Sequence, residues 1–208
     1  MRVLLGITGA SGAVYGLRCA ALLLETGADL HVVVSATGWG ILASEAGNGR
    51  LPGGLAARKR WLGGRIPASR PFRLYAEDDF RIPFASGSNP PDAMIVAPCS
   101  MGTVGRIAHG ISSSVLTRCA DVVLKERRRL VLVVRETPLS VLHLENLLTL
   151  ARAGADVLPA SPGFYQRPQS VSDLVDFVAA RALSRAGIET GVLPRWGEGD
   201  AGAAEDAP

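Results

Sequence analysis

The sequence predicts an α/β domain in which a parallel sheet is covered by helices on both faces. Three observations point there. Short apolar runs alternate with segments of helical periodicity along nearly the whole chain. Those runs are continuously apolar, as in Leu130–Val134, which is the pattern of a strand buried on both faces. Strands separated by helices imply right-handed βαβ crossovers, and 208 residues suffice for one domain with a full core.

Each element follows from its residues. Residues 2–7 read as a first strand and 13–25 as a helix; "LHVVV" at 30–34 is a second strand, followed by a helix over 37–46. Residues 47–90 are rich in Gly, Pro and Arg and are expected to be irregular, apart from a short strand at "FRLY", 72–75. Regular order resumes with "AMIVA" at 93–97 and helices over 103–110 and 114–127. A strand at 130–134, a helix at 140–153, a short strand at 155–158 and a helix at 171–186 complete the pattern. The arrangement is a Rossmann-like or flavodoxin-like three-layer sandwich without internal repeats. From Gly197 the small, acidic "GEGDAGAAEDAP" is expected to be a disordered tail.

Composition narrows the function classes. Hydrophobic residues make up 48% and mean hydropathy is +0.23, high enough to anticipate buried subunit contacts. No apolar stretch approaches the roughly 18 residues of a membrane span, and the N-terminus lacks a signal-peptide pattern, so a cytoplasmic protein is expected. The net charge of +3 rests on scattered arginines with only 5% aromatics, which suits a small anionic ligand at least as well as nucleic acid. The dense run "KERRR" at 125–129 reads as a solvated helix end whose cations face the carbonyl pole. Three cysteines without CxxC spacing and three well-separated histidines predict neither a disulfide framework nor a metal site.

In an open α/β sheet, ligands bind beyond the carboxyl ends of the strands. Every such end here is rich in Gly, Ser, Thr or Pro: "TGASG", "SATGW", "PCSMGT", "RETPLS" and "PASPGFY". In "GITGASG", small residues let backbone N–H groups approach an anion at a helix start, as for a phosphate or flavin; the structural alternative is a tight turn with Ser11 as N-cap. Ser100, Gly102 and Thr103 repeat that logic, and Ser100 again could simply cap its helix. Ser35 stands where a ribose contact is often found, but no Asp or Glu follows for the 2′-hydroxyl of NAD. Cys99 reads as a buried small residue rather than a nucleophile. Arg135-Glu136 is either a solvated corner or a charged pair aimed into a site.

Taken together, "GITGASGAVYGLR", "ASGS", "APCSMGTVGRIAHG", "LTRCADVVLKERRRLVLVVRETPLSVLHLENLL", "GADVLPASPGFYQRPQSVSDLVDFVAARAL" and "LPRWGE" resemble the UbiX-type flavin prenyltransferases. They cover most of residues 1–46 and 76–197. The resemblance implies a flavin-binding domain over residues 1–196 that takes reduced FMN and dimethylallyl phosphate. It would join the prenyl group to flavin N5 and C6 for use by a UbiD-type decarboxylase, and would assemble as a homododecamer. It further implies that Gly9, Ala10, Ser11, Ser35, Ser100, Met101, Gly102, Thr103 and Arg135 contact FMN. Arg118, Lys125, Arg135, Tyr165 and Arg181 would bind the prenyl phosphate, some from neighbouring subunits. Glu136 and Ser11 would handle a proton, with no metal required.

Phe80 stands where the family often has a Trp; it retains a π face but is a weaker partner for a cation. Asn89 replaces a frequent Phe after "ASGS". Two other functions compete. A flavin-dependent cysteine decarboxylase of the same fold group would need an Asn that "PCSMGT" lacks, and a non-catalytic FMN carrier would not need the retained Glu136 and phosphate-binding set.

Overall fold

The computed structural model describes residues 1–67 and 70–192. The element order is β1 (Arg2–Ile7), α1 (Ala13–Glu25), β2 (Asp29–Val34), α2 (Ala36–Ala46), α3 (Leu55–Gly63), β3 (Arg73–Tyr75), β4 (Ala93–Cys99), α4 (Met101–Ala108), α5 (Val115–Lys125), β5 (Arg129–Val134), α6 (Val141–Arg152), β6 (Asp156–Pro159) and α7 (Val171–Arg185), with one 3₁₀ turn at Pro83–Ala85. The expected tail and the "LPRWGE" stretch lie outside the described residues.

All five strand pairs are parallel, in the order β3-β2-β1-β4-β5-β6. This is the Rossmann order, with its topological switch point between β1 and β4. Side chains alternate across the sheet and divide the core in two. Val3, Leu5, Ile7, Ile95 and Val131 pack with α1, α2, α3 and α7. Leu4, Met94, Val96, Leu130 and Leu132 pack with α4, α5 and Leu150 of α6. Both faces are dry, which is why the strands lack polar alternation.

The region expected to be irregular contains a helix, α3. Its sequence "LAARKRWLG" carries four cations or glycines and buries only Leu62 fully, so no 3.6-residue apolar stripe announces it. Elsewhere observed boundaries depart by at most two residues from expectation, and serine caps explain several of them. Ser35, Ser100, Ser114, Ser140 and Ser170 each accept a hydrogen bond from a backbone N–H of the following first turn. Helix α6 turns an apolar face outward. Only Leu150 is buried, while Val141 and Leu142 are 70% and 69% exposed and Leu144 and Leu148 are half exposed. Among the described residues no helix is long and apolar enough to cross a membrane.

Candidate functional site

The strand ends meet at a cavity of about 760 Å³ beside the switch point. Thr8 after β1, Ser35 after β2, Ala76 after β3 and Ser100 after β4 all line it, with Phe80 on the wall. Three helices, α2, α4 and α5, open onto it through their own cap serines, Ser35, Ser100 and Ser114. Gly38 N–H donates to Ser35 Oγ at 2.9 Å, and Ser35 Oγ lies 3.2 Å from Thr37 Oγ1. Ser100 Oγ lies 3.1 Å from Thr103 Oγ1. Thr8 ties the loops together: its hydroxyl donates to the Pro98 carbonyl and accepts from Ser100 N–H, both at 2.8 Å.

The β1–α1 loop leads to the same region from the end of β1, and here the structure excludes the alternative of a Ser11 cap. Ser11 does not cap α1. The N-cap is Gly12, at φ 111°, without a side-chain bond of its own. The Glu45 carboxylate at the end of α2 accepts instead from Gly12 and Ala13 N–H at 2.8 and 2.7 Å, and the Ser11 hydroxyl bonds to it. Partial burial pushes the Glu45 carboxyl up. Hydrogen bonds from Ser11, Ala13 and Gly12, and the Arg135 charge, outweigh that and hold it below its ordinary value. Glu45 was not singled out from sequence, because "ILASEAG" shows no motif and its partners lie more than thirty residues away. Gly9 is fixed by proximity: a Cβ there would fall 2.4 Å from Thr37 Oγ1.

Arg135 is no solvated corner. Its Nε donates to the Ser11 carbonyl at 2.9 Å, which clamps the end of β5 to the β1–α1 loop. Glu136 is exposed and accepts from Thr137 N–H at 3.0 Å; a cis peptide bond precedes Pro138. Ala10 is buried within the loop, and Gly102 is exposed at the first turn of α4. Met101 points into the core, so only its backbone can face a ligand. Cys99 is fully buried and its thiol is pushed up by desolvation, as befits a core residue.

The cations expected at the prenyl phosphate do not converge within one chain. Arg118 and Lys125 project from α5, on one face of the sheet. Arg118 Nε donates to the Ala85 carbonyl at 3.0 Å and pairs with Asp121, while Lys125 pairs with Glu126 beside Gly87. Tyr165 and Arg181 belong to the other face. Tyr165 packs edge-on against Phe177 of α7, and Arg181 lines a separate cavity of about 340 Å³ with Asp156, Ser161 and Arg185. Among the described residues no group of three His, Cys, Asp or Glu side chains forms a metal-binding cluster.

Comparison with known proteins gives the family and the fold. A family model described as Flavoprotein matches residues 1–183. Flavin prenyltransferase UbiX of Pseudomonas aeruginosa is 46% identical over 198 residues, covering 95% of this chain and 94% of that protein. The crystal structure of AnUbiX (PadA1) in complex with FMN and dimethylallyl pyrophosphate superposes with a TM-score of 0.81 at 37% identity, over 94% of this chain and 96% of that one. A dodecameric FMN-dependent UbiX-like decarboxylase from Escherichia coli O157:H7 superposes with a TM-score of 0.79 at 37% identity, over 91% and 97%.

Proposed function

The chain belongs to the flavoprotein family and, within it, to the UbiX-type flavin prenyltransferases; from that premise we propose that it transfers a dimethylallyl group from dimethylallyl phosphate to N5 and C6 of reduced FMN. The prenylated FMN so made would serve a UbiD-type decarboxylase. The observation that carries this reading is the cavity at the switch point. Its volume, its three hydroxyl-lined helix starts and its Phe80 wall fit a flavin mononucleotide, which needs an apolar contact for the ring and donors for its polar edges and phosphate.

The reduced flavin supplies the nucleophilic nitrogen and carbon; the chain's own groups hold, orient and deprotonate. Ser35, Ser100, Gly102, Thr103 and the Met101 backbone take the flavin from one side. Gly9, Ala10 and Ser11 approach from the other, held there by Arg135. Breaking the allylic C–O bond leaves phosphate and an electron-deficient carbon. Arg118, Lys125, Arg135, Tyr165 and Arg181 stabilise the former, and the π face of Phe80 borders the latter. Bond formation at C6 releases a proton. Glu136 is the base, and Ser11, bonded to the Glu45 carboxylate, relays it.

Because Arg118 and Lys125 lie across the sheet from Tyr165 and Arg181, a full phosphate site takes residues from neighbouring copies. The bare apolar face of α6 is the natural contact, and the dodecameric relative supports the same assembly here. The test is anaerobic incubation with reduced FMN and dimethylallyl phosphate, then mass spectrometry of the extracted flavin. Gain of one five-carbon unit is expected. A flavin-loaded protein that leaves FMN unmodified would return the chain to the class of FMN carriers.

A further inference from the structure

Helix α3 adds a wall to the flavin cavity that the motifs did not foretell. Gly54, Leu55 and Arg58 line it together with Ser35 and Thr37 at the start of α2. Arg58 is half-buried, with its guanidinium carbon 5.2 Å from the ring centroid of Trp39, one turn into α2. Its Nε donates to the Pro52 carbonyl at 3.4 Å, and its two terminal nitrogens have no hydrogen-bond partner among the described residues. No carboxylate there forms an ion pair with it either. The other basic residue on the cavity wall, Arg106, spends Nη1 on the Gly102 carbonyl of its own helix.

The start of α2 is where the cavity combines donors suited to an anion. It has the positive end of the helix dipole, the Ser35 and Thr37 hydroxyls and a planar cation held against Trp39. It also has a cost. The Glu77 carboxylate lines the cavity and accepts from Ala36 N–H at 2.6 Å, so an arriving dianion meets a like charge. A neighbouring guanidinium with free donors offsets that repulsion.

Resting on the flavin reading above, we propose that Arg58 is a phosphate-binding residue of this cavity and that it grips the ribityl phosphate of FMN. The contact with the Trp39 ring already orders the Arg58 side chain, so less of its freedom is lost at the moment of binding, which favours a bidentate hold by its two terminal nitrogens. Arg135, clamped to Ser11 on the far side of the β1–α1 loop, is left for the reacting end.

The experiment measures binding of FMN and of riboflavin, which lacks the phosphate, to the full-length wild type and to Arg58→Met and Arg58→Lys. Met keeps an aliphatic stem against Trp39, and Lys keeps the charge without the fork. The proposal expects FMN to bind about ten- to a hundredfold more weakly to the Met variant, less so to the Lys variant, with riboflavin unchanged in both. Equal weakening of both ligands would mean a collapsed cavity wall and overturn it. Unchanged FMN affinity with a raised KM for dimethylallyl phosphate would move the contact to the other phosphate and overturn the flavin assignment. Wild-type protein that binds no FMN sinks the flavin reading itself, a result separable from any effect of Arg58.

Discussion

Helices α1 and α2 pack side by side behind the ends of β1 and β2, yet they begin in opposite ways. Helix α2 caps itself: Ser35 sits at its N-cap and accepts from Gly38 N–H three residues on. Helix α1 has glycine at the same place, and its free N–H groups wait for Glu45, thirty-three residues downstream. A self-capped helix start is readable in any short window of sequence. A start capped from a distance places a carboxylate, a serine hydroxyl and an arginine around one loop, which is how a chemical site is built. In the function proposed above, the plainer helix start belongs to the binding surface and the borrowed one to the reactive groups.

Substitutions can press on this difference, and close packing at the helix starts gives the largest effect. A Cβ on Gly38 would lie 2.5 Å from the Ile7 carbonyl oxygen, so Gly38→Ala must push α2 off β1. A loss of about 2–3 kcal/mol is expected in denaturant unfolding, with weaker FMN binding. Glu45→Gln tests the borrowed cap: it keeps a hydrogen-bonding shape but removes the charge. Because Glu45 is exposed and screened by water, the expected loss is about 1–2 kcal/mol, with a larger fall in prenyl-transfer rate than in FMN affinity. Ser35→Ala removes the self-made cap for about 1 kcal/mol, and should lower FMN affinity more than stability.

The smallest effect is read in pH. The Glu45 carboxyl is held below its ordinary value in the folded chain, so the unfolded chain takes up its proton first as pH falls. Its contribution is therefore present above the ordinary carboxylate range and lost as pH drops through the folded value. Glu45→Gln should flatten the acid limb of a stability–pH curve. His31 gives a second handle. It is buried against Tyr75, with Nδ1 2.8 Å from the phenol oxygen. Desolvation first, and the Arg73 and Arg2 charges, lower its affinity for a proton against the pull of Asp29. Its contribution is full above the ordinary histidine value and lost as pH falls below it, a limb that His31→Gln should remove.

Much of the fold was legible because its causes are local. Continuous apolar runs such as Leu130–Val134 mark strands buried on both faces, and Ser100 marks a helix start. Helix α3 was not legible. "LAARKRWLG" is neither strongly apolar nor periodic, and it is held by Leu62 and by an edge-on contact of Trp61 with Trp39. At the site, Ser35, Ser100 and Thr103 could be found from strand-end position alone. Arg135 could be suspected from its place after β5. Glu45 and Arg58 could not, since their partners are set by how α2 and α3 fold back across the strand ends.

By itself the sequence determined the layer architecture, the edge of the sheet where a ligand belongs and, through its motifs, the family. Those follow from periodicity, turn chemistry and strand order, all encoded within tens of residues. Only the tertiary structure decided which charges meet. It gave α1 its cap from Glu45, set Arg135 on the Ser11 carbonyl, stood Arg58 over Trp39 and sent the α5 and α7 cations to opposite faces of the sheet. The reason is that hydrogen bonds and ion pairs act over a few ångströms whatever the separation along the chain, so their partners exist only once the strands have been brought together.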